Sequence, residues 1–268
     1  MRITLVSFAT GKFRIRQALF VLSARVCGVV SNHISWNPER LTKIGFYEDN
    51  PSILPSERGA GFWSWKPFVI LKALETAAEG DWILYSDVGR LDVRLLRISV
   101  LSLTQWALES EQECVPGVHI PWHGTMEVWT KADAFNLLGC EEPRFRSAIP
   151  IQASFSLWKN TAASRSFVRT WYDSCRDRRL VSDDPNVCGV ANSPNFKDHR
   201  HDQSVLSLLC MRNGIVGLDT GSQSSPSFED RSLEPWLISL GGDPPTGFRS
   251  WLLGRLAGIY GTIEASVR

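Results

Sequence analysis

The sequence predicts a single α/β domain with a mostly parallel central sheet and a C-terminal loop and helix appended to it. Three observations lead there. Residues 3–7 form a short apolar run that ends in Ala9-Thr10-Gly11 and leads into a charged helical pattern over 13–23, the strand, turn and helix that open an α/β unit. Trp82-Ile83-Leu84-Tyr85 is an unbroken apolar run, the mark of a strand covered on both faces, as parallel strands are. Helical spacing of Val69, Ile70, Ala73, Leu74 and Ala77, and of Phe167, Val168, Trp171 and Tyr172, supplies helices to cover it.

Taken in order, residues 3–7 are the first strand, 13–23 the first helix and 26–30 a second strand. Residues 53–61 are polar and rich in Gly and Pro, hence a loop. A helix follows with Pro67 in its first turn, where a missing N–H costs nothing. Gly80 closes it, and the strand 82–85 delivers Ser86-Asp87-Val88-Gly89-Arg90 at its carboxyl end, where α/β sheets bind ligands. A crossover over 91–113 is helical around 101–111. Residues 118–121 and 126–130 read as short strands, 132–138 as a helix and 151–158 as a strand. Residues 162–176 read as an amphipathic helix, 183–198 as polar loop, 201–209 as a helix and 215–218 as a last strand. The domain spans 1–220. From 221 the chain is a Gly-, Pro- and Ser-rich loop followed by an apolar-rich helix over 248–264 with Arg249 and Arg255. That helix docks on the domain, on a second copy of the chain, or as an interfacial helix on a membrane.

Composition narrows the class. The chain has 268 residues, 43% hydrophobic and 21% charged, the mix of a soluble globular domain rather than a disordered or fibrous one. Lys plus Arg number 29 against 28 Asp plus Glu, a net of +1, so there is no global field for sequence-independent nucleic-acid binding. Six scattered cysteines without a CxxC or Cys/His cluster argue against a disulfide framework or structural zinc and for a reducing compartment. No leader-like core and no spanning apolar stretch are read. The expected location is cytoplasmic, with peripheral contact at the inner face of a membrane if the terminal helix rests there. Eleven Trp is a high count; most belong to packing, but Trp63 and Trp65 before Lys66-Pro67, Trp122 beside His123, and Trp129 before Thr130-Lys131 sit in polar surroundings, where one or two rings can stack on a sugar or a base.

Three constellations carry chemistry. Asp87 at its strand end is placed to hold a hard divalent cation against a diphosphate; the plain competing reading is a turn-forming acid. His199-Arg200-His201-Asp202-Gln203 gathers two imidazoles, a guanidinium, a carboxylate and a carboxamide at a loop-to-helix junction, and Asp202 alternatively just caps the helix. Arg58-Gly59-Ala60-Gly61-Phe62-Trp63-Ser64-Trp65-Lys66-Pro67 is a glycine-bearing loop feeding a helix N-terminus, where Lys66 and free N–H groups suit phosphate; alternatively the two Trp simply tie the loop down. No GxGxxG follows the first strand, and GxxxxGK[ST], GxSxG and HExxH are absent, which removes the commonest nucleotide, lipase and metalloprotease readings.

Gly61-Phe62-Trp63-Ser64-Trp65-Lys66-Pro67, Gly80-Asp81-Trp82-Ile83-Leu84-Tyr85-Ser86-Asp87-Val88-Gly89, Trp129-Thr130-Lys131-Ala132-Asp133 and His199-Arg200-His201-Asp202-Gln203-Ser204, in this order along 1–218, resemble bacterial nucleotide-diphospho-sugar transferases of the GT-A type, glycosyltransferases of surface-polysaccharide synthesis. The resemblance implies a GT-A-like fold and transfer of a sugar from a nucleoside-diphosphate donor to a saccharide or lipid-linked acceptor. It implies Mn2+ or Mg2+ held by Asp87 with His199 or His201, although Gly89 stands where the family's second acid would be. By the same pattern Asp202 and Asp87 are catalytic, Asp202 lying nearest the reacting sugar. Donor contacts are expected from Ser7, Ala9, Thr10, Gly11, Arg58, Trp65, Lys66, Ser86, Arg90 and Gln203. The alternatives are a metal-dependent nucleotidyltransferase or phosphate-processing hydrolase, and an inactive sugar-binding protein of the same fold.

Overall fold

The computed structural model describes residues 1–27, 30–88 and 100–219. Among the described residues there are seven strands: β1 (Ile3–Phe8), β2 (Asn32–Trp36), β3 (Trp82–Asp87), β4 (Cys114–Val115), β5 (Val118–His119), β6 (Ile151–Gln152) and β7 (Phe155–Lys159). The helices are α1 (Phe13–Cys27), α2 (Pro38–Lys43), α3 (Phe46–Asp49), α4 (Trp65–Thr76), α5 (Val100–Glu109), α6 (Met126–Trp129), α7 (Ala132–Leu137), α8 (Pro143–Ser147), α9 (Ala162–Cys175), α10 (Arg178–Val181) and α11 (Asp202–Arg212).

The main sheet has the order β2-β1-β3-β7-β4, and β5 and β6 pair apart from it. β1 is parallel to both β2 and β3, whereas β7 is antiparallel to both β3 and β4. The expectation of a mostly parallel sheet is thus corrected to a mixed one. Its physical reason lies at the turn between β6 and β7, where the Asp87 N–H donates to the Ser154 carbonyl at 2.8 Å. β7 therefore starts at the end where β3 finishes.

Alternation along β3 sends its side chains to two cores. Trp82 and Leu84 join Ile3, Leu5 and Leu157 beneath Phe20, Val21 and Ala24 of α1 and Leu103 and Ala107 of α5. Ile83 and Tyr85 join Val6, Phe8 and Trp158 on the other face, beneath α4, α9 and α11. Burial on both faces is what made residues 82–85 read as a continuous apolar run.

Four further expectations change. In place of the strand expected over 26–30, α1 runs through Cys27, and the second described strand is Asn32–Trp36. It lies at the sheet edge with most of its side chains partly exposed, so its polar sequence carries no apolar signal. Residues 126–130 hold the short helix α6 rather than a strand, short apolar runs being compatible with either. Residues 151–158 divide between two sheets at Ala153 and Ser154. Residues 215–218 contribute one isolated bridge, Val118 to Leu218. Gly89, Arg90 and the whole extension from 221 to 268 with its terminal helix lie outside the described residues, as does the membrane or dimer contact expected of that helix. Among the described residues no helix is long and apolar enough to cross a membrane.

Gly117 fixes the junction between the two sheets. Its φ is +152°, and a Cβ there would come within 2.2 Å of the Gln152 carbonyl oxygen. Because backbone atoms cannot give way as a flexible side chain can, Gly117→Ala is expected to cost about 2–3 kcal/mol, in the range of an overpacked site. Urea unfolding with an unchanged slope and a lower midpoint would bear this out, and an unchanged midpoint would refute it.

Candidate active site

The order β2-β1-β3 places successive strands on opposite sides of β1. The crevice beyond the carboxyl ends of β1 and β3 is therefore a topological switch point, the usual ligand position in open α/β sheets. Register pairs Ser7 with Ser86 and Phe8 with Asp87. Asp87 thus ends β3 in line with Phe8, just before Ala9-Thr10-Gly11.

Behind this rim lies a buried charge cluster. Lys66 is 4% exposed, and its Nζ donates to the Ala153 carbonyl at 3.0 Å. It also stands 3.4 Å from Asp87 Oδ1 and 3.2 Å from Asp202 Oδ2. Its Nζ lies 5.4 Å from the centre of the Tyr85 ring, and the Tyr85 hydroxyl donates to Asp87 Oδ1. Burial alone would lower the lysine pKa, but Asp202 and Asp87 outweigh it and hold Lys66 above its ordinary value, so it is an ammonium. Asp202 is also 4% exposed, and its Oδ2 receives no hydrogen bond, so its contact with Lys66 is electrostatic without directed geometry. Burial, against the pull of Lys66 and with the repulsion of Asp87, raises its pKa to about 6.

Two strained segments hold the cluster. Gly59, Ala60, Gly61, Phe62 and Trp63 all have positive φ, between 54° and 100°. Left-handed backbone costs roughly 1–2 kcal/mol per non-glycine residue, so Ala60, Phe62 and Trp63 persist only because the turn is pinned. Trp65 Nε1 donates to the Gly59 carbonyl at 2.8 Å, and Ser64 Oγ to the Gly61 carbonyl at 2.7 Å. Immediately before Asp202, His201 adopts φ 52° and ψ −123°. Its ring stacks on Phe62 at 5.5 Å, and its Nε2 lies 3.1 Å from Asp183 Oδ1. Strain of this kind gathers at functional sites.

The other expected residues fall into three groups. Thr10 and Gly11 border the crevice, and Gly11 has open space around its Cα. Ser7, Ala9 and Ser86 are buried in the strand ends; Ser7 Oγ accepts from Gln17, and Ser86 Oγ donates to the Asp87 carbonyl. Lys66, expected to meet phosphate, is turned inward. Trp65, expected at the donor, is buried against Phe8 with ring centres 3.7 Å apart. Arg58 grips Asp198 with two hydrogen bonds at 3.1 and 3.3 Å. Gln203 lies in the first turn of α11, next to Asp202. Sequence reasoning missed Tyr85, Asp183, Asp198 and the Ala153 carbonyl. Only Tyr85 had a signal, its two-residue spacing from Asp87 within one strand.

The side chains expected to hold Mn2+ or Mg2+ do not form a cation cage. Among the described residues no group of three His, Cys, Asp or Glu side chains is placed to hold a metal ion. The Lys66 ammonium already sits between the two aspartates. His199 spends both ring nitrogens on backbone: Nε2 faces the Leu180 carbonyl at 2.8 Å, and Nδ1 accepts from the Lys131 N–H at 3.4 Å. Burial, with His201 nearby, lowers its pKa to about 3, so it is neutral. His201 faces Asp183.

Comparison with protein-family models, curated proteins and solved structures finds no match.

Removing one partner of a buried ion pair strands the other. Lys66→Met is expected to cost about 3–5 kcal/mol at pH 7, and adding Asp202→Asn should recover part of it by removing one orphaned charge. Equal losses in the single and double variants would contradict this. Asp202 also sets a pH dependence. With its folded pKa raised to about 6 from 3.8, the folded state binds the proton more tightly, so its contribution is full below pH 3.8 and is lost as pH rises through 6. Wild-type stability should therefore fall relative to Asp202→Asn between pH 4 and 6 and run parallel above; parallel curves throughout would refute the assignment.

Proposed function

We propose that this chain is a glycosyltransferase that moves a sugar from a nucleoside-diphosphate donor to a saccharide or lipid-linked acceptor, the donor lying in the crevice between the ends of β1 and β3. The observation that carries the reading is the pairing of Asp87 and Asp202 across one buried ammonium at the switch point of the sheet. Two carboxylates in unlike environments divide acid and base duties in one site. Asp87 is partly exposed at the strand end and faces the incoming donor. Asp202 lies behind it, sealed from the crevice and joined to Asp87 through Lys66.

In the transfer, the bond from the anomeric carbon to the β-phosphate oxygen breaks, and the nucleoside diphosphate departs with the electron pair. The acceptor hydroxyl oxygen bonds the anomeric carbon, and its proton passes to the Asp87 carboxylate at the crevice. Lys66 keeps both carboxylates fixed and ionised Asp202 from repelling Asp87, so their positions are set before the donor arrives. Asp202 Oδ2 is buried and lacks a hydrogen bond, so Asp202 acts on the crevice through the charge of Lys66 and Asp87 rather than by touching the sugar. A divalent cation, if bound, would neutralise the diphosphate; Asp87 and the phosphate oxygens are the ligands left to it.

Incubation with a panel of sugar nucleotides and acceptors separates this reading from its rivals. A transferred sugar supports it, free sugar marks a hydrolase, and donor binding without turnover across the panel marks an inactive binding protein. With a productive pair, Asp87→Ala is expected to lower kcat/KM by about 100-fold or more with the fold intact, the scale of a lost electrostatic group. The wild-type rate should rise with pH through about 6 as Asp202 ionises. Unchanged kcat/KM in a folded Asp87→Ala protein would overturn the role of Asp87.

A further inference from the structure

Beside the buried cluster lies an aromatic surface that packing does not account for. Trp122 is 63% exposed, on the short 3-10 turn Pro121–His123. The His123 ring stands edge-on to it at 6.3 Å and tilts toward Trp129 at 5.8 Å. Trp129 Nε1 donates to the His123 carbonyl at 2.6 Å, which fixes the two rings relative to each other. A large ring left in water beside two rings fixed in this way offers stacking area.

Two cations border these rings without a close ion pair among the described residues, although Asp198, itself held by Arg58, feels the charge of Arg200. The Arg200 guanidinium lies 4.3 Å from the Trp129 ring centre, and its Nε is buried with no acceptor. Lys197 Nζ lies 5.8 Å from the same ring. Neither makes an ion pair among the described residues, in contrast to Arg58, held by Asp198, and Arg178, held by Glu57 and Asp184. The nearby Glu127 is taken up by Ser193 Oγ and Asn195 Nδ2. A guanidinium without its carboxylate is a fork shaped for an oxyanion.

The surface is tied to the active site through one carbonyl. The Trp129 oxygen accepts from the Arg200 N–H at 3.0 Å and from Ser204 Oγ at 2.8 Å, on either side of Asp202.

We propose that Trp122, His123, Trp129, Lys197 and Arg200 form a second binding site, for an oligosaccharide bearing carboxylates, and that it seats the acceptor; this last assignment rests on the glycosyl-transfer reading. The apolar C–H face of a pyranose stacks on Trp122, while Arg200 and Lys197 receive the carboxylates. The positive charge is local, consistent with a net charge of only +1 for the whole chain.

The test is calorimetric titration of the full chain with tetragalacturonate, with the neutral maltotetraose, and separately with uridine diphosphate. Tetragalacturonate is expected to bind about tenfold tighter than maltotetraose, to lose about tenfold in affinity in the Trp122→Ala variant, and to lose its advantage over the neutral sugar in Arg200→Gln. Trp122→Ala should leave the affinity for uridine diphosphate unchanged, and because Trp122 is a surface residue that variant keeps its fold, checked by its melting temperature. Equal affinity for the two tetrasaccharides, no binding of tetragalacturonate at millimolar concentration, or unchanged affinity in Trp122→Ala would overturn the site. If Arg200→Gln weakens uridine diphosphate and leaves tetragalacturonate unaffected, Arg200 serves the donor and the acceptor assignment falls. If no nucleoside diphosphate binds the wild type while tetragalacturonate behaves as expected, the saccharide site stands and the glycosyl-transfer reading fails.

Discussion

The Lys66 ammonium, sealed from water, constrains the rest of the site. A buried cation must be paired and hydrogen-bonded or it is lost to desolvation, and Lys66 draws its partners from three distant places: the end of β3, the turn between β6 and β7, and the start of α11. Each requirement shapes the fold. The Ala153 carbonyl reaches Lys66 because β7 begins at the end where β3 finishes. Lys66 enters the interior because α4 is launched from a left-handed turn. Asp202 meets it because the chain breaks sharply at His201. The costs of those two irregular segments are offset by the pairing they permit.

One cation between two carboxylates leaves one negative charge in excess, and the environment decides where it falls. Asp87 is partly exposed and shares its inner oxygen with the Tyr85 hydroxyl. Asp202 is sealed in and has an oxygen with no hydrogen bond, so burial places the proton affinity there and lifts its pKa to about 6. The cluster is thus a front carboxylate toward the crevice and a rear one poised near neutrality. Such a split arises from unequal solvation alone and needs no difference in residue type.

Local pattern revealed the parts, and distance hid their union. The run Trp82 to Tyr85, the helical spacing after Pro67 and the 162–176 amphipathic stretch each became the element they predicted, because burial writes its period into a single segment. Lys66, Asp87 and Asp202 were all singled out by type and position, yet to three different duties: phosphate, metal and sugar. That they share one interaction depends on contacts spanning 66 to 202, which no local period encodes. β2 was misplaced because an edge strand needs no apolar face on both sides. The histidines show the converse, since their residue type suggests ligation while in the fold three of their ring nitrogens face the Leu180 carbonyl, the Lys131 amide and Asp183.

The segment Trp129-Thr130-Lys131-Ala132-Asp133 shows why a polar loop can wall a site. Residues 183–198 contain few buried apolar side chains, so the hydrophobic effect cannot fix them. Asp133, fully buried, instead accepts from the Val187 and Cys188 N–H groups, the Ala132 N–H donates to Asn192, and Lys131 Nζ donates to the Asp184 carbonyl. These bonds satisfy loop backbone that would otherwise be stranded. They also set Asp183 and Asp198, the partners of His201 and Arg58. Two residues before Lys131, the Trp129 carbonyl ties the start of α11 to the aromatic surface. A displacement of this segment would therefore disturb the loop, the kink at His201 and the stacking rings together. Their common anchor is five consecutive residues, so the loop, the kink and the aromatic surface are held in place by one segment.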